Sequence, residues 1–174
     1  MNFYVVDVPR FDDKNYAYGE MVDLETGECE KCSVCGLAVG KREWLPPRKV
    51  KLSKPSFGDF VFGVFDVFLT SERFKNEYLN SGLIGIKEFQ PVEIVKIVTR
   101  KKVHIAPPNY YNVLIVRSKA RVDEIKSEFV REGEIKCDFC KRGGIIKSFK
   151  GIHLLQDTWS GEDIFFTTGL SGIV

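Results

Sequence analysis

The sequence lacks the usual signatures of catalysis. Its 174 residues contain no Walker loop, no GxSxG elbow and no HExxH motif. Histidine is scarce. His104 and His153 are the two present, flanked as Val-His-Ile and Ile-His-Leu, a setting that suits a core or strand-face imidazole better than a base. Glu162 and Asp163 are neighbours, so an extended chain turns them to opposite faces and they make no acid pair. No residue is assigned a catalytic role, and the expectation is a protein that is not an enzyme.

Long hydrophobic runs are also missing. The longest, Phe60 to Leu69, is about half of what a membrane-spanning helix needs, and Asp66 interrupts it. The start, MNFYVVDVPRFDDKN, has no basic leader region and carries Asp7 inside its apolar stretch. The expectation is a cytoplasmic protein with no membrane partner. Charge of one sign is lacking as well. The 26 basic residues face 24 acidic ones, net +2, which is too even for a dedicated polyanion binder and disfavours nucleic acid as partner. The balance hides an asymmetry. Residues 1–31 hold eight acids against three bases, net −5, which leaves +7 for the remainder. An acidic edge beside a basic body suits a protein partner, or is simply a solvated surface.

What is present is ordinary globular composition, 14 phenylalanines for a ring-rich core, and five cysteines. A chain of this length suits one domain, 1–174, or at most two small ones packed together. Phe3–Val8 reads as a short strand and Tyr16–Leu24 as a second, closed by the turn Glu25–Gly27. Residues 41–54 carry six bases and one acid, and Pro46-Pro47 excludes a helix there, so the stretch reads as an extended connection. Val64–Leu69 reads as a buried strand. It leads into the best helix signal: Ser71 as N-cap, Glu72 in the first turn, Phe74, Tyr78 and Leu79 on one face, and Ser81-Gly82 as the stop. Ile84–Val98 reads as strand broken at Gln90-Pro91, Val103–Ile105 as a short run before the turn Pro107–Asn109, and Asn112–Arg117 as a strand. Ser118–Arg131 has helical spacing at Val122, Ile125, Phe129 and Val130 but is short and charged. Gly143–Gln156 alternates as a strand or hairpin would. Strands dominate one secure helix, so the class is α+β, mostly antiparallel.

The cysteines fall in pattern. Cys32-x-x-Cys35 and Cys137-x-x-Cys140 are two knuckles. Two thiolates at this spacing can reach one tetrahedral Zn²⁺ at about 2.3 Å, while the tight turn aims backbone N–H groups at sulfur. Gly36 follows the first knuckle, where such a turn needs positive φ. Lys141-Arg142 follow the second, and can offset a tetrathiolate's negative charge. The expected metal ligands are Cys32, Cys35, Cys137 and Cys140, sharing one structural Zn²⁺ that ties an early segment to a late one. A redox dithiol, an iron–sulfur cluster using Cys29-x-x-Cys32-x-x-Cys35, and plain reduced thiols are the alternatives. Cys29 reads as a free thiol or a substitute ligand. Four thiolates leave a metal no open position for water.

These residues resemble a known group. Cys32–Gly36, Phe57-Gly-Asp-Phe60, Leu83–Ile86 with Pro91-Val-Glu93, Cys137–Cys140 and Trp159–Phe165 are similar to the double-CxxCG immunity proteins of bacterial polymorphic toxin systems, a myxobacterial-type paralogous family. The run Leu69–Phe74 resembles a phrase shared with a neighbouring immunity family. The second knuckle reads CDFCK, with Lys141 where the family has glycine. The resemblance implies a protein that binds and neutralises a cognate protein toxin, with the four cysteines as metal ligands. The other reading of the sequence is a zinc-stapled nucleic-acid-binding or regulatory module, motivated by basic stretches at 41–54, 96–102 and 141–150, with Trp44, Tyr110 and Tyr111 available for stacking.

Overall fold

A computed structural model of the chain describes residues 3–6, 15–64, 67–99 and 106–170. The expected run Val103–Ile105, with His104, lies outside them, as do Asp7 and Val8 of the first expected strand; residues 3–6 form no strand. In chain order the strands are β1 Gly19–Val22, β2 Thr26–Lys31, β3 Ala38–Trp44, β4 Lys49–Leu52, β5 Phe60–Val64, β6 Val67–Ser71, β7 Ile86–Ile97, β8 Tyr110–Ile115, β9 Arg117–Arg121, β10 Val130–Ile135, β11 Gly143–Ser148 and β12 Phe166–Thr168. One α-helix, α1, covers Glu72–Asn80, and a single 3₁₀ turn covers Gln156–Thr158. Among the described residues the protein is therefore α+β, mostly antiparallel, with one α-helix. The chain divides into two compact units.

The sheet unit comprises Val6–Gly27 and Glu43–Ile115. Its six strands run in the order β1-β4-β7-β8-β6-β5. All neighbours are antiparallel except β4 and β7. The two edges curl toward each other: a Cβ on Gly19 of β1 would lie 3.1 Å from Val61 and 3.2 Å from Val64 of β5. Inside the curl, Ala17, Trp44, Val50, Leu52, Val61, Val64, Leu69 and Tyr110 form the core. The β4 strand shows why. Lys-Val-Lys-Leu alternates, so Val50 and Leu52 turn in while Lys49 and Lys51 turn out to Asp23 and Glu20 of β1's end of the ladder, at 3.4 and 2.7 Å. The stretch 41–54 is thus not a bare connection. It ends β3, passes the cis Pro46–Pro47 bond and forms β4.

Strand β7 runs unbroken through Gln90-Pro91. Glu93 N–H donates to Arg48 O. Two residues earlier Pro91 faces the same side, where β4 has not yet begun, so its missing N–H costs no ladder bond. Opposite, buried Asn112 donates to Gln90 Oε1 at 2.8 Å, pairing two polar groups that would be expensive to bury alone.

Helix α1 follows its signals. Ser71 Oγ accepts from Phe74 N–H at 3.2 Å and donates to Asp59 Oδ1 at 2.6 Å. Gly82 closes the helix at φ +66°. Tyr78 is buried, and its hydroxyl accepts from Ile86 N–H at 2.8 Å. Phe74 packs on Phe60, and Tyr78 on Phe89, with ring centroids 5.0 and 5.6 Å apart. Leu79 does not share this face. It is 56% exposed, because it lies five positions beyond Phe74, which carries it well round the helix. Trp44, Tyr110 and Tyr111 are buried in this unit and offer no stacking surface. Tyr110 O–H donates to Gly58 O at 2.8 Å, and burial, with the charge of Asp59, pushes it up to about 12.

The knuckle unit comprises Met1–Val5, Glu28–Arg42 and Val116–Val174. Strands β2 and β3 pair, as do β10 and β11, while β9 and β12 pair in parallel. Ser118–Arg131 is not a helix. Arg117–Arg121 joins β12, then residues 123–129 make one turn around Ser127, whose hydroxyl accepts from His153 N–H at 3.0 Å. Ile125 is 88% exposed, so the apparent helical spacing packs nothing there. The Trp159–Phe165 stretch folds on itself: Trp159 Nε1 donates to Glu162 O at 3.0 Å, and the ring of Phe3 meets those of Trp159 and Phe165 edge-on.

Candidate metal centre

Each CxxC knuckle is the turn of a β-hairpin. The first lies between β2 and β3, the second between β10 and β11. The two turns are built alike. Gly36 N–H donates to Cys32 O at 2.9 Å, and Lys141 N–H to Cys137 O at 2.8 Å. Gly36 takes φ +72° and Lys141, four residues after the corresponding cysteine, takes φ +54°. The second knuckle therefore keeps the left-handed turn without the glycine, and Lys141 carries the backbone strain.

The hairpins bring Cys32, Cys35, Cys137 and Cys140 together, with all four sulfurs within 4.8 Å of one another. Cys35 and Cys140 Sγ lie 3.7 Å apart, across 105 residues of sequence. Sulfurs at the corners of a tetrahedron about 2.3 Å from zinc would be spaced by about 3.8 Å, so the set fits that ion. Cys32, Cys137 and Cys140 are buried, and Val39 of β3 packs with them. Cys29, half-buried on β2, lies outside the cluster.

Backbone N–H groups surround the sulfurs in a repeated pattern. Cys35 and Val34 N–H point at Cys32, and Cys140 and Phe139 N–H at Cys137; these hold Cys32 low and Cys137 at about 7, against the opposing effect of burial. Leu37 N–H also favours the thiolate of Cys35, but burial and the neighbouring Cys137 and Cys32 sulfurs outweigh it and raise that thiol. Burial pushes Cys140 up to about 12 despite the N–H of Arg142, with the other sulfurs adding to the rise. Four thiolates cannot share so small a volume without a cation. A divalent ion held by the four sulfurs would remove that conflict and supply folding energy, with no position left for a reacting water.

The other residues singled out by sequence lie elsewhere. His153 is exposed. Glu162 serves the fold: burial alone would raise it, but its own N–H and the hydroxyls of Ser118 and Ser160, at 2.9 and 3.0 Å, hold it below the ordinary carboxylate range. Asp59, of the Phe57–Phe60 motif, is likewise held low by the Ser71 hydroxyl and the Arg73 guanidinium. The sequence sets Arg142 beside the second knuckle, but that Lys119 and Arg121 join it there was not foreseen; their signal was faint, alternate positions on β9.

The fold and site define a class: a mostly antiparallel α+β protein with a four-cysteine site that could hold a metal ion, made from two hairpin turns. The chain matches no family model, no curated protein and no solved structure. No helix among the described residues is long and apolar enough to cross a membrane.

Proposed function

We propose that the chain is an immunity protein, a binding inhibitor that neutralises a cognate bacterial protein toxin in the cytoplasm, with Zn²⁺ as a structural staple. The observation that carries this reading is the convergence of Cys32, Cys35, Cys137 and Cys140 into one closed four-sulfur cluster. The resemblance to the double-CxxCG proteins implies such a cluster, and a closed donor set suits a stabilising role better than a reactive one. The other motifs of the resemblance also fall at structural posts. Asp59 ties β5 to the start of α1 through Ser71 and Arg73, and Glu162 ties the Trp159 turn to Ser118. Such a framework leaves the remaining surface free to be shaped to one partner, and inhibition by binding asks for complementarity rather than a reactive group.

The test is co-expression. Candidate toxins, sought first among the products of genes next to this one, are produced with and without the chain, and growth is followed. Protection that requires the intact chain, with a complex that survives size-exclusion chromatography, is the expected result. Full lethality in the presence of soluble, zinc-loaded protein would refute the reading.

A further inference from the structure

A cleft of about 560 Å³ opens beside the cysteine cluster, within the knuckle unit. Its walls come from the ends of β2 and β3, from β9 and β12, from the second knuckle and from the 3₁₀ turn. Five cations line it: Lys31, Arg117, Lys119, Arg121 and Arg142. Two carboxylates, Glu30 and Asp157, oppose them. Even with the net double negative charge of a metal-loaded tetrathiolate at its edge, the cleft stays positive.

These cations differ in what they already do. Arg117 is committed to the fold. Its guanidinium donates to Glu30 at 3.0 Å, to Val39 O at 2.8 Å and to Thr167 O at 3.2 Å. Lys119, Arg121 and Arg142 make no ion pair with any described residue. Lys119 is exposed on β9. Arg121 lies 6.0 Å from the centre of the Phe139 ring and reaches only the carbonyl of Asp138, at 3.4 Å. Arg142 is the most telling. Its Nε is buried and has no hydrogen-bond partner in the protein. Arg142 is half-buried, so this enclosed donor is left unpaired at a cost, while the terminal nitrogens of its guanidinium are the ones a carboxylate in the cleft would meet.

We propose that this cleft is the docking site for an acidic segment of the protein partner, with an Asp or Glu carboxylate seated on Arg142 and Arg121 and further acids meeting Lys119 at the rim. The identity of the partner as a protein rests on the inhibitor reading above; the anionic chemistry rests on the cleft itself. A polynucleotide fits less well. Glu30 and Asp157 interrupt the positive lining that a continuous phosphate chain would track, and Phe139, the one aromatic ring among the described residues of the wall, already carries Arg121.

The probes are octaglutamate and a single-stranded DNA oligonucleotide of similar charge, titrated into the zinc-loaded full chain at low and moderate salt. Octaglutamate is expected to bind, more weakly as salt rises. Lys119→Glu and Arg121→Gln should each weaken it by roughly tenfold, while Lys126→Glu, an equal charge reversal outside the cleft, should change it less than about twofold. Zinc stoichiometry and melting temperature confirm that each variant folds. Octaglutamate binding weaker than about 1 mM, tighter binding of the oligonucleotide, or equal loss in Lys126→Glu overturns the proposal. The two readings fail separately. Binding at the cleft with no protection against the toxin sinks the inhibitor reading alone, whereas protection that survives Lys119→Glu and Arg121→Gln undiminished sinks the cleft alone.

Discussion

If the four cysteines hold Zn²⁺, as proposed, removing it should cost the protein a large share of its stability. The four sulfurs join hairpins whose closest pair, Cys35 and Cys140, is separated by 105 residues. Closing a loop of that length removes roughly 5 kcal/mol of chain entropy from the unfolded state, against a total of about 5–15 kcal/mol for an ordinary domain. Packing offers little to replace it, because among the described residues the buried cluster around the sulfurs adds only Val39. At about 2–4 °C per kcal/mol for a chain of this size, loss of zinc should lower the melting temperature by roughly 10–20 °C. Cys137→Ser should do the same, while Cys29→Ser should leave melting within about 2 °C, since Cys29 stands apart from the cluster. The assay pairs metal analysis with circular-dichroism melts of loaded, chelated and reloaded protein, and hydrogen exchange locates the damage. Exchange should rise first at the two knuckles, whereas Val50, Leu52 and Leu69, in a core of their own, should keep their protection. A chelated protein shown to be metal-free that melts within about 2 °C of the loaded form would refute the staple argument.

Other consequences are narrower. Lys141→Gly relieves the left-handed strain of the second knuckle but forfeits the pair with Asp138 and the cover of a half-buried stem beside Gly169, so melts should show a net gain below about 1 kcal/mol; Gly36→Ala, with open space around it, should lose about 1 kcal/mol through backbone conformation alone. Asp59→Asn should cost about 1 kcal/mol by denaturant titration, because the amide keeps one acceptor oxygen for Ser71 but loses the charge and the second oxygen that receives the Arg73 guanidinium. Its folded-state carboxyl sits below its unfolded value, so the wild type should hold this stabilisation above about pH 4 and lose it as pH falls further, and the variant should lack that part of the acid slope. Ser71→Ala should cost about 1 kcal/mol through loss of the N-cap, read as a lower denaturation midpoint with an unchanged slope.

The legible parts of the sequence were those where local chemistry decides. Helix α1 could be read because its cap, first-turn acid and stop glycine each act within a few residues. The metal ligands could be read because two knuckles need only spacing. Strand β4 was hidden because Lys-Val-Lys-Leu is short and its basic residues look like a linker; only pairing with β1 and β7 makes it a strand. Pro91 looked like a break because its tolerance depends on where β4 begins, a fact of register rather than of local sequence. Residues 118–131 stayed ambiguous for a related reason. Their apolar spacing matched a helix, but Arg117–Arg121 were claimed by β12, some fifty residues later, and what remained was too short to propagate one.

The second knuckle shows what a motif does and does not encode. Its missing glycine looked like a departure, yet Lys141 adopts the same left-handed turn as Gly36 and donates the equivalent hydrogen bond. The geometry is therefore set by the demand for N–H groups around sulfur, and glycine is the cheaper of two ways to meet it. A lysine retained there at a conformational cost places a cation, paired with Asp138 at 3.1 Å, on the turn that also carries Arg142 into the basic cleft. If Lys141→Gly raises stability as argued, the strain at this turn is real, and the unpaired Nε of Arg142 is then a second tolerated cost within two residues of Cys140. Costs of that kind gather where a surface is shaped for something other than its own folding.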